Sequence, residues 1–374
     1  MKNALIICLI VIFPNLGQAQ TINKSFTHNG VTRTYEIYIP VNYSGTTPVP
    51  LVFNFHGFGG SGSQQRGSTN FLPIADTAGF IIIHPTGTLL GPPLNFNHWN
   101  VGGWTAASPA DDMGFTSAMI DSTATQYNID LNRVYACGFS NGGFFSHKLA
   151  GQLSNRFAAI ASVSGTFTPQ MITNAAPTHP MPVLQIHGTT DPTVPYTGTT
   201  GNGGMSSVDD VIQYWVNYNN CDQTPTSTTL PDLSATDGST VEHDVYANGD
   251  NGVSVELMRV VGGAHRWPGN PSANQDISAS VEIWKFFSRY SNTPVSTQEF
   301  NKKTFSVYPN PTSSTIHVLG DLSQELDYAL YSFQGRIVKQ GTIDAAHSSI
   351  DLSDLASSVY VLRIGEEYVR ILRR

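Results

Sequence analysis

Residues 133–143, with the sequence Arg-Val-Tyr-Ala-Cys-Gly-Phe-Ser-Asn-Gly-Gly, decide the fold of this chain. The run begins as an apolar, β-prone segment, turns at Ser140 and continues into residues 144–153, whose apolar side chains have helical spacing. A sharp strand-to-helix turn pushes a serine hydroxyl out of the backbone and leaves no room for a Cβ at Gly138 or Gly142. The stretch therefore predicts an exposed nucleophilic serine, with an ordinary glycine-rich turn as the alternative.

The segments on either side of this turn alternate between strands and helices. The predicted strands cover residues 24–41, 50–55, 79–85, 157–165, 181–188, 242–246 and 253–260, and the predicted helices cover 71–78, 111–127, 207–218 and 276–290. Continuous apolar strands separated by helices are typical of a mostly parallel sheet covered on both faces. The predicted fold class is α/β, with helices on both faces of the sheet.

An acid and a histidine follow two of these strands. Asp191 lies just after the strand at 181–188, and His265 lies in a glycine-flanked loop after the strand at 253–260. The chain order Ser140, Asp191, His265 is the order of the α/β-hydrolases and differs from the orders of two well-known protease folds. We predict these three residues as nucleophile, acid and base of a catalytic triad.

A glycine-rich loop follows the strand at 50–55. Its sequence, His-Gly-Phe-Gly-Gly-Ser-Gly at residues 56–62, lets backbone N–H groups face a ligand. In α/β-hydrolases the second donor of the oxyanion hole comes from this position, and the first comes from the residue after the nucleophile. The predicted oxyanion hole therefore consists of the N–H groups of Phe58 and Asn141.

Three tryptophans are candidates for contact with a substrate. Trp99 and Trp104 lie in the long irregular segment 86–110, and Trp267 stands two residues after His265. Long loops in compact domains often carry function, and their aromatic side chains often line a cleft. We predict all three as substrate-binding residues, with anchoring of the loops on the core as the alternative.

Composition excludes several classes of partner. The chain has 374 residues, of which only 12% are charged, and a formal net charge of −8, so nucleic acid is not an expected partner. No Cys or His spacing suggests a metal site, and the predicted chemistry needs no cofactor. Cys137 and Cys221 are compatible either with one disulfide or with two separate buried thiols.

The two ends of the chain differ from its centre. Residues 1–19 have the charged start, short apolar middle and small-residue exit of a secretory signal peptide, and no later segment approaches the length of a transmembrane helix. Residues 20–290 form the predicted α/β domain, and residues 291–304 form a polar, proline-containing linker. Short alternating strands over residues 305–374 predict a small all-β sandwich.

Several motifs together resemble a known family. They are His56-Gly57-Phe58-Gly59-Gly60, Trp99-Asn100, the elbow at Ser140, His187-Gly188 through Asp191-Pro192, and Gly262-Gly263-Ala264-His265. They resemble the secreted polyhydroxybutyrate depolymerase and feruloyl esterase group of α/β-hydrolases, which overlaps the carbohydrate esterases that act on xylan. The resemblance implies a secreted serine esterase that acts on an ester substrate, which can be polymeric. Ala264 and Arg266 depart from the family pattern beside the histidine, a difference expected to alter the rim of the cleft but not the role of His265 as the base.

The C-terminal segment carries a second resemblance. Tyr308-Pro309-Asn310-Pro311, Gly335-Arg336-Ile337-Val338, the strand at 359–364 and the final Arg373-Arg374 resemble the C-terminal sorting domain of type IX secretion cargo in Bacteroidetes. The resemblance implies export across both membranes through the type IX machinery, to the medium or the cell surface. A carbohydrate-binding accessory module is the alternative.

The sequence leaves the substrate open. Feruloyl or acetyl esters of plant-wall polysaccharide and polyhydroxyalkanoate all suit the predicted site. A serine peptidase uses the same elbow and chain order, although the chain has no room for the propeller domain of prolyl peptidases. A non-catalytic polysaccharide-binding protein on the same scaffold is the alternative from another class.

Overall fold

The computed structural model describes residues 19–92, 95–201, 203–292, 305–320, 322–332, 336–365 and 367–374. The chain divides into two compact units between Asn292 and Thr293. The predicted signal peptide at 1–19 and linker at 291–304 fall almost entirely outside the described residues, so both stay predictions.

The first unit contains the strands and helices that position the predicted site. Its strands are β1 Gln20–His28, β2 Val31–Ile39, β3 Val49–Phe55, β4 Ile81–Pro85, β5 Thr88–Leu89, β6 Asn97–His98, β7 Ile129–Phe139, β8 Ala159–Val163, β9 Val183–Gly188, β10 Thr226–Thr229, β11 Thr240–Tyr246 and β12 Val255–Val261. Its helices are α1 Gly62–Thr69, α2 Leu72–Ala78, α3 Asp112–Gln126, α4 Asn141–Gln152, α5 Pro169–Thr173, α6 Val208–Tyr218 and α7 Ala279–Phe287.

Ten of these strands form one sheet in the order β1-β2-β4-β3-β7-β8-β9-β12-β11-β10. The inner six, from β4 to β12, run parallel. An antiparallel hairpin is added at each margin, β1-β2 beside β4 and β11-β10 beside β12. The predicted mostly parallel α/β sheet is confirmed, and its parallel strands bring the residues after β3, β7, β9 and β12 to one edge.

The segment predicted as one strand at 24–41 is in fact a hairpin. Asn29 and Gly30, at its turn, have φ angles of 49° and 77°. A two-residue turn with positive φ at both positions matches the twist of an antiparallel pair, and Asn-Gly favours it. The alternation of side chains continues on both sides of the turn, which hides the reversal of the chain in the sequence.

Two apolar layers cover the faces of the sheet. One contains Phe53 and Phe55 of β3 with Phe145 of α4 and Trp215 of α6. The other contains the alternate residue Val52 together with side chains of α2 and α7. Helices therefore lie on both faces, as predicted. Cys137 and Cys221 are free, buried thiols, which decides the alternative left open by the sequence.

The second unit is entirely β in its described residues. Its strands are β13 Ser306–Tyr308, β14 Thr315–Leu319, β15 Leu326–Ser332, β16 Ile337–Ile343, β17 Ser349–Asp351, β18 Ser358–Ile364 and β19 Glu367–Arg373. They form two antiparallel sheets, β13-β14-β17 and β16-β15-β18-β19, around a single apolar cluster that includes Ile316 and Leu362. This confirms the predicted small all-β domain.

Across both units, none of the helices in the described residues has the length and apolarity needed to cross a membrane.

Candidate active site

Ser140 occupies the junction between β7 and α4. Its backbone has φ 53° and ψ −120°, a conformation that non-glycine residues rarely adopt. The surrounding structure holds it there: its N–H donates to Val163 O at 2.8 Å, and its carbonyl accepts from Phe144 N at 3.0 Å. The side chain is partly exposed, and none of the hydrogen bonds of the described residues uses its Oγ. The hydroxyl is thus available to a substrate.

The turn closes because two neighbours of Ser140 have no side chain. A Cβ on Gly138 would lie 2.4 Å from the carbonyl carbon of Gly142, and a Cβ on Gly142 would lie 2.2 Å from Phe55 O. Both distances are shorter than van der Waals contact allows. The glycines on either side of Ser140 therefore let β7, α4 and the end of β3 meet at one point.

Asp191 lies in the loop after β9, with its carboxylate fully buried. Its Oδ1 accepts the N–H groups of Thr193 and Val194, both at 2.8 Å, and its Oδ2 lies 2.7 Å from His265 Nδ1. Burial by itself raises the pKa of Asp191, but the hydrogen bonds from His265, Val194 and Thr193 outweigh it and leave the pKa below its ordinary value. The carboxylate stays ionised and accepts a hydrogen bond from His265 Nδ1–H.

His265 reaches this carboxylate from the loop after β12. Its side chain is 16% exposed, and its ring lies 4.7 Å from the ring of Phe139, the residue before Ser140. No hydrogen bond between His265 and Ser140 occurs among the described contacts, and His265 Nε2 has no protein partner there. The structure thus pairs two of the three predicted triad residues directly and places the third beside the same aromatic ring.

The loop after β3 lies against the nucleophile. A Cβ on Gly57 would lie 3.3 Å from Ser140 Cβ. His56 is buried; its Nδ1–H donates to Gly57 O at 2.7 Å, and its Nε2 accepts from Gly87 N at 2.9 Å. Burial lowers the pKa of His56 to about 4, which keeps the ring neutral and suits one donor and one acceptor nitrogen. The backbone N–H groups of Phe58 and Asn141 have no hydrogen-bond partner among the described residues.

The three predicted substrate-binding tryptophans have different surroundings. Trp99 is fully buried, and its Nε1 donates to His56 O at 3.0 Å. Trp267 is also buried, and its Nε1 donates to Ser280 Oγ at 3.2 Å. Trp104 is partly exposed, and its ring lies 5.3 Å from the ring of Phe58.

Besides its free backbone N–H, Asn141 has side-chain contacts that the sequence pattern does not reveal. Its side chain is buried and bonds the backbone of Trp99 in both directions: Oδ1 accepts from Trp99 N at 2.7 Å, and Nδ2 donates to Trp99 O at 3.1 Å. Trp99 in turn bonds His56. The side chain of Asn141 therefore ties the start of α4 to the loop that carries Phe58.

Sequence reasoning also passed over Phe96. Its ring is 48% exposed and lies 5.5 Å from the ring of Phe58. An exposed aromatic residue inside the long segment 86–110 was the available signal. Phe58, Phe96 and Trp104 together form an aromatic group, named here the aromatic rim, beside the predicted oxyanion hole.

A chain of buried side chains leads from the core to Asp191. It starts at Trp215, whose Nε1–H can only donate and lies 3.3 Å from His147 Nδ1. His147 must therefore carry its proton on Nε2, which donates to Gln185 Oε1 at 2.9 Å. Burial lowers the pKa of His147 to about 4, consistent with a neutral ring. One tautomer of His147 is fixed as a result.

The chain of buried hydrogen bonds continues through Gln185 and His187 to the loop that carries Asp191. The amide nitrogen of Gln185 donates to Gly165 O at 2.9 Å and to His187 Nδ1 at 3.0 Å. His187, whose pKa burial lowers, is neutral and carries its proton on Nε2, which donates to Val194 O at 2.8 Å and lies 3.5 Å from Asp191 Oδ2. This buried relay, His147–Gln185–His187, braces the loop of the acid. A glutamine inside the apolar strand β9 was its only sequence signal.

The described residues contain no group of three or more His, Cys, Asp or Glu side chains that could hold a metal ion. The groups gathered around Ser140 are an ionised acid, an imidazole, an unbonded hydroxyl and two free backbone donors. Such a set can add a hydroxyl to a carbonyl carbon and stabilise the resulting oxyanion.

Two family models match the chain. Residues 41–201 match the phospholipase/carboxylesterase family, and residues 306–373 match the secretion system C-terminal sorting domain. Among solved structures, acetyl xylan esterase from Aspergillus awamori superposes with a TM-score of 0.51 at 17% identity, over 73% of this chain and 99% of that one. The predicted α/β-hydrolase fold is thus confirmed, and the C-terminal segment matches the predicted kind of sorting domain.

Sequence relatives have esterase names. A bifunctional acetylxylan esterase/xylanase of Neocallimastix patriciarum is 28% identical over 74% of this chain and 36% of its own length. Feruloyl esterase B of Piromyces equi is 29% identical over 61% of this chain and 42% of its own length. Feruloyl esterase D of Neurospora crassa is 28% identical over 74% of this chain and 88% of its own length. The chain thus spans less than half of the length of the first two. The predicted class, carboxylic ester hydrolase, is the class that the names of these relatives state.

Proposed function

We propose that this protein is a secreted serine esterase that cleaves carboxylic esters through an acyl-enzyme intermediate. The observation that carries the proposal is the 2.7 Å hydrogen bond between His265 Nδ1 and the buried carboxylate of Asp191, at the sheet edge where Ser140 stands in its strained turn. A buried, ionised acid that fixes a histidine beside an exposed serine is the arrangement that activates a hydroxyl nucleophile.

The reaction follows from the roles of the three side chains. Ser140 Oγ attacks the ester carbonyl carbon while His265 Nε2 takes the hydroxyl proton, and Asp191 stabilises the imidazolium that forms. The tetrahedral intermediate collapses, the carbon–oxygen bond to the alcohol breaks, and His265 returns its proton to the leaving alcohol. Water then repeats the sequence on the acyl-serine, releases the acid and restores Ser140.

We assign the oxyanion hole to the backbone N–H groups of Phe58 and Asn141. The support is that neither group has a protein acceptor among the described residues, although both belong to tightly bonded segments. Donors that are fixed before the reaction contribute most when charge develops on the carbonyl oxygen, and each is typically worth about 3 kcal/mol of the barrier.

For substrate contact, we assign the aromatic rim rather than all three tryptophans. Trp104 is partly exposed beside Phe58, and Phe96 is exposed on the same loop system, which suits them to the acyl or alcohol part of an ester. Trp99 and Trp267 are buried, so we assign them to the support of the loops that carry Phe58 and His265. The names of the relatives favour feruloyl or acetyl esters of plant-wall polysaccharide over a polyhydroxyalkanoate.

The match of residues 306–373 to a sorting domain supports export through the type IX secretion machinery, with residues 1–19 as the signal for the first membrane. In a host that has this machinery, the full chain should reach the medium or the cell surface, and a chain that ends at residue 304 should stay in the periplasm. Equal export of both chains would instead favour a carbohydrate-binding role for the second unit.

The test of the proposed activity is hydrolysis of methyl ferulate, acetylated xylan and a hydroxybutyrate trimer by the full chain. We expect turnover of at least one ester, and we expect Ser140→Ala to lower kcat by about 10⁴-fold or more. A matched control is Ser288→Ala, a change after the end of α7. Activity of Ser140→Ala within tenfold of the parent would refute the proposal, and hydrolysis of a peptide alone would replace the esterase with a peptidase.

A further inference from the structure

Two loops at the active-site edge of the sheet touch through residues that the proposed mechanism does not use. One loop follows β9 and leads to Asp191, and the other follows β12 and leads to His265. Their strands are parallel neighbours whose pairing ends with Val260 opposite Gly188. A Cβ on Gly188 would lie 2.2 Å from Gly263 O, so the loops can approach this closely only because Gly188 has no side chain. The acid and the base are thus carried on two loops in close contact.

His265 is held only weakly by its own part of the loop. In the described structure, the backbone of residues 264–266 makes no hydrogen bond. Apart from its bond to Asp191 and its contact with Phe139, the imidazole has no hydrogen bond, ion pair or ring contact among the described residues. The buried Trp267 anchors the loop after this stretch. The remaining freedom of His265 therefore depends on how the loop is fixed at the two glycines before residue 264.

Two threonine hydroxyls fix these glycines. Thr190 Oγ1 lies 3.0 Å from Gly262 O and 2.9 Å from Gly263 O, so one hydroxyl proton is shared between two carbonyl groups. Thr189 Oγ1 accepts from Gly262 N at 2.9 Å. The backbone adds a bond from Thr190 N to Gly263 O at 3.0 Å. Together these contacts, named here the threonine clasp, hold both glycines against the loop of Asp191.

The threonine clasp lies at the surface, away from the buried relay. The relay reaches the acid loop from inside the core, where His187 Nε2 donates to Val194 O, whereas Thr190 is exposed and Thr189 is partly buried. An exposed hydrogen bond adds little to the free energy of unfolding, because water replaces it in the unfolded chain. Beside two glycines, however, the same bond restricts backbone angles that are otherwise free. A positioning role of Thr190 can therefore be separated from a role in stability.

We propose that Thr190 is a positioning residue whose hydroxyl keeps the loop of His265 where the imidazole Nδ1–H donates to Asp191. The inference rests on the proposed esterase function and adds a residue to it. His265 gains and loses a proton in each half of the reaction. The threonine clasp uses the side chain of neither His265 nor Asp191, so it holds the two loops together throughout. Removing the hydroxyl should therefore lower kcat more than it raises KM.

The kinetic test compares the full chain with its Thr190→Val and Thr190→Ser variants on 4-nitrophenyl acetate. Valine keeps the shape of threonine without the hydroxyl, and serine keeps the hydroxyl. We expect Thr190→Val to lower kcat about tenfold with little change in KM, and Thr190→Ser to restore kcat to within about twofold of the parent. Thr77→Val is the matched control and should leave kcat unchanged. Thr77 is also exposed, and its Oγ1 lies 3.1 and 3.0 Å from the carbonyl oxygens of Pro73 and Ile74.

Proton NMR supplies a second measurement that needs no ester. The proton on His265 Nδ1 faces a carboxylate and should resonate far downfield, in a signal identified by its absence from His265→Ala. We expect this signal in the parent, Thr190→Ser and Thr77→Val, and its loss through exchange with water in Thr190→Val.

Three results would overturn the assignment: an unchanged signal in Thr190→Val, a loss of kcat that Thr190→Ser does not restore, or absence of the signal from the parent, since the threonine clasp would then not hold the pair together. If the parent hydrolyses no ester, the proposed function fails, and the NMR comparison still decides whether Thr190 positions His265.

Discussion

At the scale of single residues, Gln185 occupies a buried position whose neighbours offer one donor and two acceptors. Its Oε1 accepts a hydrogen bond from His147 Nε2 at 2.9 Å, and its Nε2 donates one to His187 Nδ1 at 3.0 Å. We expect Gln185→Glu to remove the donor, to release the tautomer of His187 and to loosen the loop of Asp191. Because small displacements in an active site cost up to about 10²-fold, kcat should fall roughly 10- to 100-fold while KM changes little.

Steady-state kinetics on a small ester checks this positioning role. The matched control is Gln213→Glu, an exposed position on α6. Gln185→Leu separates the lost donor from an added charge and should lower kcat in the same way. A raised KM with an unchanged kcat would contradict the positioning role. So would a loss of activity, in both variants, that is fully explained by a smaller fraction of folded protein, because the relay would then contribute to packing alone.

His84 is a buried residue whose imidazole makes no hydrogen bond through either nitrogen in the described structure. Burial, followed by the positive charge of Arg66, lowers the pKa of His84 to about 3. The folded state thus keeps the ring neutral, whereas the unfolded chain takes up a proton below about pH 6.5. Stability from this residue is present above that pH and is lost as the pH falls toward 3.

We therefore expect His84→Leu to be neutral or stabilising at pH 7, because it removes unsatisfied polar atoms. It should also reduce the loss of unfolding free energy between pH 7 and pH 5 by about 2 kcal/mol. Urea unfolding followed by tryptophan fluorescence measures both, with Gln213→Leu, at an exposed position in the same unit, as the control. An unchanged pH slope, or destabilisation by more than about 1 kcal/mol at pH 7, would show that the ring has a partner in solution.

The sequence predicts where a functional residue stands along the chain better than it predicts what surrounds that residue in the fold. Ser140, Asp191 and His265 could be singled out because each follows an apolar strand within a glycine-containing loop. The tryptophans could not be sorted, since Trp99 and Trp104 lie in one irregular segment and only the fold decides which ring is buried. The relay was hidden for a related reason: a histidine or glutamine in a strand does not reveal its partners on another element.

At the scale of elements, the junction of β3, β7 and α4 depends on Gly142. A Cβ there would lie 2.2 Å from Phe55 O, in the backbone of a central strand that cannot move freely. We expect Gly142→Ala to destabilise the protein by about 1–3 kcal/mol and to lower kcat at least tenfold through displacement of Ser140.

Gly67→Ala is the comparison for this change. Gly67 is an exposed residue of α1 with no atom within 4 Å of the added Cβ, so alanine should stabilise the helix by about 0.5–1 kcal/mol and leave kcat unaltered. Thermal unfolding and ester hydrolysis of the two variants measure the contrast. Similar behaviour of both would mean that the elbow adapts to a side chain.

Elements were predictable where burial leaves a pattern. The parallel strands β3 and β4 have apolar runs because both of their faces are covered, and β9 is equally buried although it includes Gln185 and His187. The sequence gives no such signal for β10, whose Thr-Ser-Thr-Thr is exposed at every position, and the missed turn at Asn29-Gly30 lies within an unbroken alternation.

At the scale of the whole molecule, the two units have separate apolar cores. A chain that ends after Asn292 should therefore fold, and its kcat/KM on methyl ferulate should stay within about twofold of the full chain. The cut belongs after Asn292 rather than at 290, because Asn292 N donates to Asn132 O and closes the first unit. Loss of activity in the soluble shorter chain, with recovery on adding the second unit, would show that catalysis needs both.

The two free thiols bear on how long such a protein lasts outside a cell. Cys137 is fully buried in β7, and burial raises its pKa well above the ordinary value, so almost none of it exists as the thiolate that oxidants attack. Cys221 is also buried, and its pKa is raised too. The first unit can thus fold without an oxidase or a disulfide isomerase. In the exported enzyme that we propose, neither position would present an exposed sulfur for air, peroxide or a thiol to modify.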